Sequence, residues 1–273
     1  MISSFDKIFL LICLNLIVFN AYSQQEKIHK ERGNEYYYAA KYELAIQEYR
    51  KSISVNKLYA PSYHNIGLCY ENLNQADSSI YYYSKAIKLD SLNAGYYMSR
   101  AEIFETQDDV NKLIEDSRTV ISLTKDSLML ARSYQLIGHR RMDQEDYTTS
   151  FFLFDSALSF NPKGTYLKYF RGATALEIKK YEIAYDDFRS VIESDPDMEP
   201  AYVFLGRTLI RLRRPEEAIE ILNRAIDLEP TDAFAYYYRG YAKWYLNREV
   251  EADSDMKKAN ELGLDAKFWP KPD

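Results

Sequence analysis

The stretch that decides the fold is residues 199–232, which read EPAYVFLGRTLIRLRRPEEAIEILNRAIDLEPTD. Its apolar residues recur at helical spacing in two runs, so each run predicts a helix with one buried stripe. Its one glycine, Gly206, belongs to a series that continues on both sides of the stretch, because Gly138, Gly172, Gly206 and Gly240 stand 34 residues apart. A fixed interval of this size predicts a stacked array of helical repeats.

Alignment on these glycines divides the chain into seven repeats, with three residues left over between the third and the fourth. They cover residues 26–59, 60–93, 94–127, 131–164, 165–198, 199–232 and 233–266. Each repeat predicts two antiparallel helices that approach closely at small residues, such as Gly206 and Ala218. Large residues, such as Leu222, fill the space between neighbours. Pro230 follows the second helix and helps to end it, and Asp232 can cap the next one.

The other repeats keep this pattern of small and large positions. The small position of the second helix holds Ala45, Ser79, Ser150, Ala184, Ala218 and Ala252. The large position that follows holds Tyr49, Tyr83, Phe154, Phe188, Leu222 and Met256. The third repeat departs most, with Ala101 for glycine, Leu113 at the small position and Ser117 at the large one. The extra residues 128–130 are apolar and predict an early start of the next helix.

The order Tyr202-x2-Leu205-Gly206-x2-Leu209, followed by Ala218, Leu222, Ala225 and Pro230, resembles the tetratricopeptide repeat. The resemblance covers essentially everything after residue 23. It implies an all-α fold, a right-handed superhelical solenoid of antiparallel helix pairs. It also implies that the first helices of the repeats line a concave groove that binds peptides or protein segments.

The resemblance assigns the second, fifth, ninth, twelfth and thirteenth residues of each repeat to this groove. At these offsets the last three repeats hold two arginines and seven aromatic residues. These predicted partner-binding residues are Tyr166, Tyr169, Arg207, Arg211, Phe234, Tyr237, Tyr241, Trp244 and Tyr245. Clustered exposed aromatics with arginine are typical of binding hot spots. Because other residues fill the core positions, burial is expected to explain these rings less well. The alternative is that the tail, residues 267–273, or a second copy covers them.

Residues 1–23 differ in composition from the rest of the chain. Lys7 precedes a nearly unbroken apolar run over residues 8–19, and Ala21 and Ser23 supply the small residues of a cleavage site. This pattern predicts a secretory signal peptide, and hence an exported bacterial protein that is periplasmic or associated with the cell surface. The alternative is an uncleaved N-terminal anchor, because one lysine is a weak positive region.

The composition and charge narrow the function classes. The formal net charge is −6 and the sequence pI is about 5.3, so no global footprint for nucleic acid is present. Only Cys69 remains after the leader, so an internal disulfide is not possible, and its apolar neighbours predict burial.

Signs of chemistry are sparse along the chain. Its three histidines lie in different repeats and are expected to have packing or surface roles, and no zinc spacing or phosphate loop occurs. Paired carboxylates at 108–109, 186–187 and 216–217 are expected to be solvated. The predicted groove is acidic in its middle, with Glu71, Glu102, Glu105, Asp143 and Glu177 against Arg132. Lys30, Asn34 and Asn65 match part of a carboxylate clamp known in the family, but Gly95 and Ser99 stand where its last two cations would be.

The sequence therefore favours a non-enzymatic scaffold, without a cofactor, that binds a peptide or protein segment in a concave groove. The alternative is a carbohydrate-binding accessory protein of the cell surface, because tyrosine and tryptophan rings also stack on sugars. A third possibility is an adaptor of a larger envelope assembly.

Overall fold

Helices joined by short turns make up the part of the chain that the computed structural model describes, residues 24–264. The predicted leader and the C-terminal tail lie outside the described residues. The first helix, α1, covers residues 24–38. The others are α2 (Tyr42–Val55), α3 (Ala60–Asn72), α4 (Ala76–Leu89), α5 (Ala94–Thr106), α6 (Val110–Leu123), α7 (Ser127–Asp143), α8 (Tyr147–Phe160), α9 (Thr165–Glu177), α10 (Tyr181–Ser194), α11 (Glu199–Arg211), α12 (Pro215–Leu228), α13 (Ala233–Tyr245) and α14 (Glu249–Glu261).

The helices pack in sequence order within two compact bodies. The N-terminal body is Met1–Leu136, described from residue 24, and the C-terminal body is Ile137–Asp273, described to residue 264. Each helix from α3 to α6 packs on the one before it, and so does each helix from α9 to α14. First helices of successive repeats also touch, as α3 does with α5 and α11 with α13. This arrangement confirms the predicted all-α fold of paired helices.

The glycine positions are filled by large side chains from the partner helix. A Cβ atom added to Gly206 would lie 2.5 Å from Leu222 Cγ, and one added to Gly67 would lie 2.5 Å from Tyr83. Gly33 meets Tyr49, also 16 positions later, equally closely, and Gly138, Gly172 and Gly240 face the residue 16 positions later at 3.1–3.2 Å. Leu222 and Tyr83 are fully buried, and burial of a side chain of this size stabilises a fold by about 1.5–3 kcal/mol. The predicted small-and-large packing is confirmed.

In the third repeat the small and large positions of the second helix are exchanged, with Leu113 at the first and Ser117 at the second. Ala101, Leu113 and Ser117 are all fully buried. Ser117 is small enough to leave room for the methyl group of Ala101, and Leu113 supplies the volume that an aromatic residue supplies elsewhere. Helix α7 begins at Ser127, so the prediction of an early helix start at residues 128–130 is also confirmed.

The turn inside each helix pair places one residue in the left-handed region. These residues are Ala40, Asn74, Asp108, Glu145, Lys179, Arg213 and Asn247, with φ between 55° and 63°. The backbone there satisfies helix-end carbonyls, since the amide of Arg213 donates to Ile210 O and that of Arg214 to Leu209 O. Because none of the seven is glycine, this turn does not select one side chain.

Three arginines, each directly before the small residue of a first helix, form buried ion pairs that tie neighbouring helices together. Arg171 donates from Nε and Nη2 to Asp187, 16 residues later, at 2.8 and 2.7 Å, and from Nη1 to Asp155, 16 residues earlier, at 2.6 Å. Arg100 joins Asp116 and Ser84 in the same way, and Arg239 joins Asp255 and Asn223. Each arginine thus links the second helices of two successive repeats. Such bidentate pairs are geometrically specific.

These pairs occur in alternate repeats. The position before the small residue holds Arg32, Ile66, Arg100, Ile137, Arg171, Leu205 and Arg239. Sixteen residues later stand Glu48, Tyr82, Asp116, Leu153, Asp187, Ile221 and Asp255. Odd repeats therefore carry a charged pair where even repeats carry an apolar one, although in the first repeat Glu48 binds His29 and Lys51. Charged and apolar pairs thus occupy equivalent positions between the two helices of successive repeats.

The expectation of a solvated carboxylate is wrong for Asp187, which is only 3% exposed. Its neighbour Asp186 is exposed, as expected. Adjacent side chains project about 100° apart around an α-helix, and only Asp187 points toward Arg171. The hydrogen bonds from Arg171 to Asp187 raise the pKa of the guanidinium further above its ordinary value.

We predict that Asp187→Ala lowers the free energy of unfolding by about 3–5 kcal/mol, because Arg171 loses its buried counterion. Replacement of both partners by leucine should restore most of this loss, since the even repeats hold apolar pairs at these positions. Urea denaturation followed by circular dichroism measures both. The control Asp155→Ala removes a carboxylate that is 53% exposed and should cost less than about 1 kcal/mol. If the double leucine variant is as unstable as Asp187→Ala, an apolar pair cannot replace the charged pair at these positions.

Candidate functional site

The nine predicted binding residues lie on three first helices of the C-terminal body. Helix α9 carries two of them, α11 carries both arginines and α13 carries five rings. Tyr166 and Phe234 are exposed by 64% and 50%, and Arg211 is also exposed. The half-buried members are Tyr169, Arg207, Tyr237, Trp244 and Tyr245.

Tyr241 corrects the expectation that burial does not explain these rings, because it is only 6% exposed. It belongs to the hydrophobic core cluster that includes Leu209 and Met256, and Tyr237, Trp244 and Tyr245 pack against that cluster. Its ring stacks on Trp244 at 6.2 Å between ring centroids and an interplanar angle of 6°. Burial raises the pKa of Tyr241 to about 12. The last repeat therefore uses much of its aromatic surface for its own packing.

A cleft of about 640 Å³ opens beside these rings, between the ends of α9, α11 and α13. Its apolar and aromatic lining consists of Leu176, Tyr181, Ile210, Tyr241 and Tyr245. Its charged lining consists of Glu177, Lys179, Arg207, Arg211 and Arg213. We call it the basic cleft. The structure brings together four of the nine predicted residues here, namely the two arginines with Tyr241 and Tyr245.

A second cleft of about 280 Å³ lies on the other side of Glu177 in the same body. Tyr169 lines it together with Asp143, Tyr147, Phe170 and Phe204, among others. Four predicted residues line neither of these two clefts, namely Tyr166, Phe234, Tyr237 and Trp244. The first helices thus present two adjoining depressions, and the predicted residues do not form one continuous patch.

The basic cleft has four cations, of which the sequence pattern predicted Arg207 and Arg211 but not Lys179 and Arg213. Arg207 donates to Glu177 at 2.8 Å, so these two charges compensate each other. Lys179, Arg211 and Arg213 are exposed and make no ion pair with a residue in the described range 24–264. Lys179 and Arg213 stand 34 residues apart, at the left-handed turn position. The 34-residue spacing could have identified these two cations from the sequence, although they lie outside the offsets assigned to the groove.

The acidic residues predicted along the groove have partners in each body. In the N-terminal body, Arg132 donates to Glu102 at 3.1 Å and to Glu105 at 2.9 Å, and Tyr83 donates to Glu71. The partial clamp is also engaged, because Asn34 Oδ1 accepts from Tyr49 at 2.8 Å and from Asn65 at 3.0 Å. These contacts support the neighbouring helices and leave the basic cleft as the better candidate.

Packing roles account for the histidines and the cysteine. His29 contacts Glu48 at 2.8 Å, and His64 contacts Ser99 at 2.9 Å, where burial lowers the pKa of His64 to about 4. His139 packs against Phe154 and Phe170. Cys69 is fully buried, as predicted, and burial raises the pKa of its thiol to about 12. Among residues 24–264, His, Cys, Asp and Glu form no group of three that could hold a metal ion.

No helix among residues 24–264 is both long enough and apolar enough to cross a bilayer.

The helix pairs that recur along both bodies define a helical repeat protein. Sequence profiles of the tetratricopeptide repeat match residues 60–91 and 175–243. With the helix pairs described above, these matches show that the chain is a tetratricopeptide repeat protein, as its sequence pattern predicted.

Several solved structures share the fold. YrrB, described as a tetratricopeptide repeat protein with an unusual peptide-binding site, is 21% identical with a TM-score of 0.62, over 68% of this chain and 95% of its own. PilF of Pseudomonas aeruginosa is 12% identical with a TM-score of 0.65, over 81% and 99%. A tetratricopeptide repeat protein from Parabacteroides merdae is 16% identical with a TM-score of 0.59, over 89% and 94%.

We predict that Tyr241→Ala and Tyr166→Ala have opposite consequences, although both residues were expected at the groove. Tyr241→Ala should lower the free energy of unfolding by about 3–5 kcal/mol, because it empties a buried position. Tyr166→Ala should change it by less than about 0.5 kcal/mol, because that ring is mostly in solvent. Thermal and urea denaturation of the two variants check this, and similar losses in both would show that the burial assigned to these rings is wrong.

Proposed function

We propose that this protein is a non-enzymatic scaffold that binds an extended segment of another protein along the first helices of its C-terminal body. The tetratricopeptide fold supports an interaction scaffold in general. The observation that carries the finer proposal is the basic cleft, where an apolar floor and aromatic walls meet exposed cations. Recognition sites combine apolar surface with a few polar groups that fix orientation in this way.

The proposal extends to how the segment is held. The half-buried rings of Tyr245 and Tyr181 provide apolar surface at low entropic cost, and the exposed arginines set the register of a charged segment. The peptide-binding site named for YrrB is consistent with this use of a similar fold. The sugar-binding alternative finds less support, because Tyr241 and Trp244 stack on each other and so have less ring face to offer to a pyranose.

We further propose that residues 1–23 direct the protein out of the bacterial cytoplasm, to the periplasm or the cell surface. The apolar run at 8–19 and the small residues at 21 and 23 support this localisation. The partner would then be a protein of the cell envelope.

Site-specific photocrosslinking tests the proposed surface. A photoreactive phenylalanine analogue replaces Tyr245, which lines the basic cleft, and in a separate variant Val250, which is 85% exposed on α14. In intact cells, the Tyr245 position should crosslink repeatedly to one segment of an envelope protein, and the Val250 position should not. Equal yields of the same products at both positions, or crosslinks at Tyr245 to glycans alone, would contradict the proposal.

A further inference from the structure

The basic cleft stands out against the charge of the chain that carries it. The protein has a formal net charge of −6, yet four of the five charged side chains lining this cleft are cationic. After the pair between Arg207 and Glu177 is set aside, Lys179, Arg211 and Arg213 remain without an acidic partner among the described residues. Arginines close by are paired, since Arg214 binds Glu217 and Arg248 binds Glu251. Three cations without an ion pair therefore converge on this one cleft.

The fold does not require these cations. Cations near the C-terminal end of a helix interact favourably with its dipole, which offers a structural reason for Lys179 and Arg213. The same turn position holds Asp108 and Glu145 in other repeats, however, and Ala40 in the first. Because acidic and apolar residues occupy this position in the same backbone conformation, helix stability alone does not explain two cations beside one cleft.

The surroundings of the cations define the ligand that would fit. Leu176 and Ile210 form a buried apolar floor, and the Tyr245 ring stands on the wall. Arginine can bind a planar carboxylate with two parallel charge-assisted hydrogen bonds. From this, and resting on the function proposed above, we infer that the cleft binds an acidic protein segment, in which carboxylates flank one apolar or aromatic side chain. The apolar side chain enters the cleft, and the carboxylates contact Arg211, Arg213 and Lys179.

Fluorescence anisotropy with two labelled peptides tests this inference on the full chain. In the first peptide, glutamates flank a central leucine and tyrosine, and in the second, glutamines replace the glutamates. The acidic peptide should bind at least about tenfold more tightly, and added salt should weaken it. Combined Arg211→Gln and Arg213→Gln should reduce its affinity about tenfold or more.

Arg214→Gln is the matched control, because this arginine is next in sequence but already paired with Glu217. It should leave the affinity for the acidic peptide unchanged. Circular dichroism of each variant separates loss of binding from loss of fold, because Arg211 and Arg213 are exposed and their replacement should leave the melting curve in place.

Several outcomes would overturn the inference. If the glutamine peptide binds as well as the acidic one, and Tyr245→Ala weakens both, the groove function stands and the acidic preference is wrong. If neither peptide binds and Tyr245 yields no crosslinks, both proposals fail. Binding of polygalacturonate that depends on Arg211, without binding of the acidic peptide, would assign the cleft to an anionic sugar. Displacement of the acidic peptide by a synthetic peptide of residues 265–273 at equal concentration would assign it to the chain's own tail.

Discussion

The contact between a first-helix glycine and the large side chain 16 residues later is the constraint on which the structure depends. At Gly206 and Leu222 the two helices approach so closely that not even a methyl group fits between them. This contact limits how far apart the two helices of a glycine-containing repeat can lie, because a large side chain packs directly on bare backbone. The third repeat shows that total volume is what matters, since Ala101 is matched by a smaller residue, Ser117.

With that contact in place, other positions are free to vary in chemistry. The position just before the glycine alternates between arginine and an aliphatic residue, and both fit the same pair of helices. The first-helix face varies further, and in the C-terminal body it carries two clefts with different linings. Function in such a protein is therefore expected at positions that the helix contact does not restrict, such as Arg211 and Lys179.

Much of the fold could be predicted from the sequence, because repetition shows seven times what each packing position requires. The spacing of residues predicted the helix pairs, the packing of Gly206 on Leu222 and the early start of α7.

The candidate site could be predicted only in part. Tyr241 occupies an offset that holds alanine and arginine in the two preceding repeats, so its burial depends on neighbours specific to the last repeat. Asp187 was misjudged because its pairing follows a two-repeat alternation, which a search for one 34-residue period averages away. Lys179 and Arg213 lie at turns, outside any groove rule.

The most direct test of this account is a double-mutant cycle between Gly206 and Leu222, measured as free energies of unfolding. Gly206→Ala alone should destabilise the protein by about 1–3 kcal/mol, because its methyl group collides with Leu222. In a Leu222→Ala background the same change should cost almost nothing or stabilise, because alanine favours helix over glycine by about 1 kcal/mol. An equal cost of Gly206→Ala in both backgrounds would contradict the claim that this contact sets the spacing of the helices.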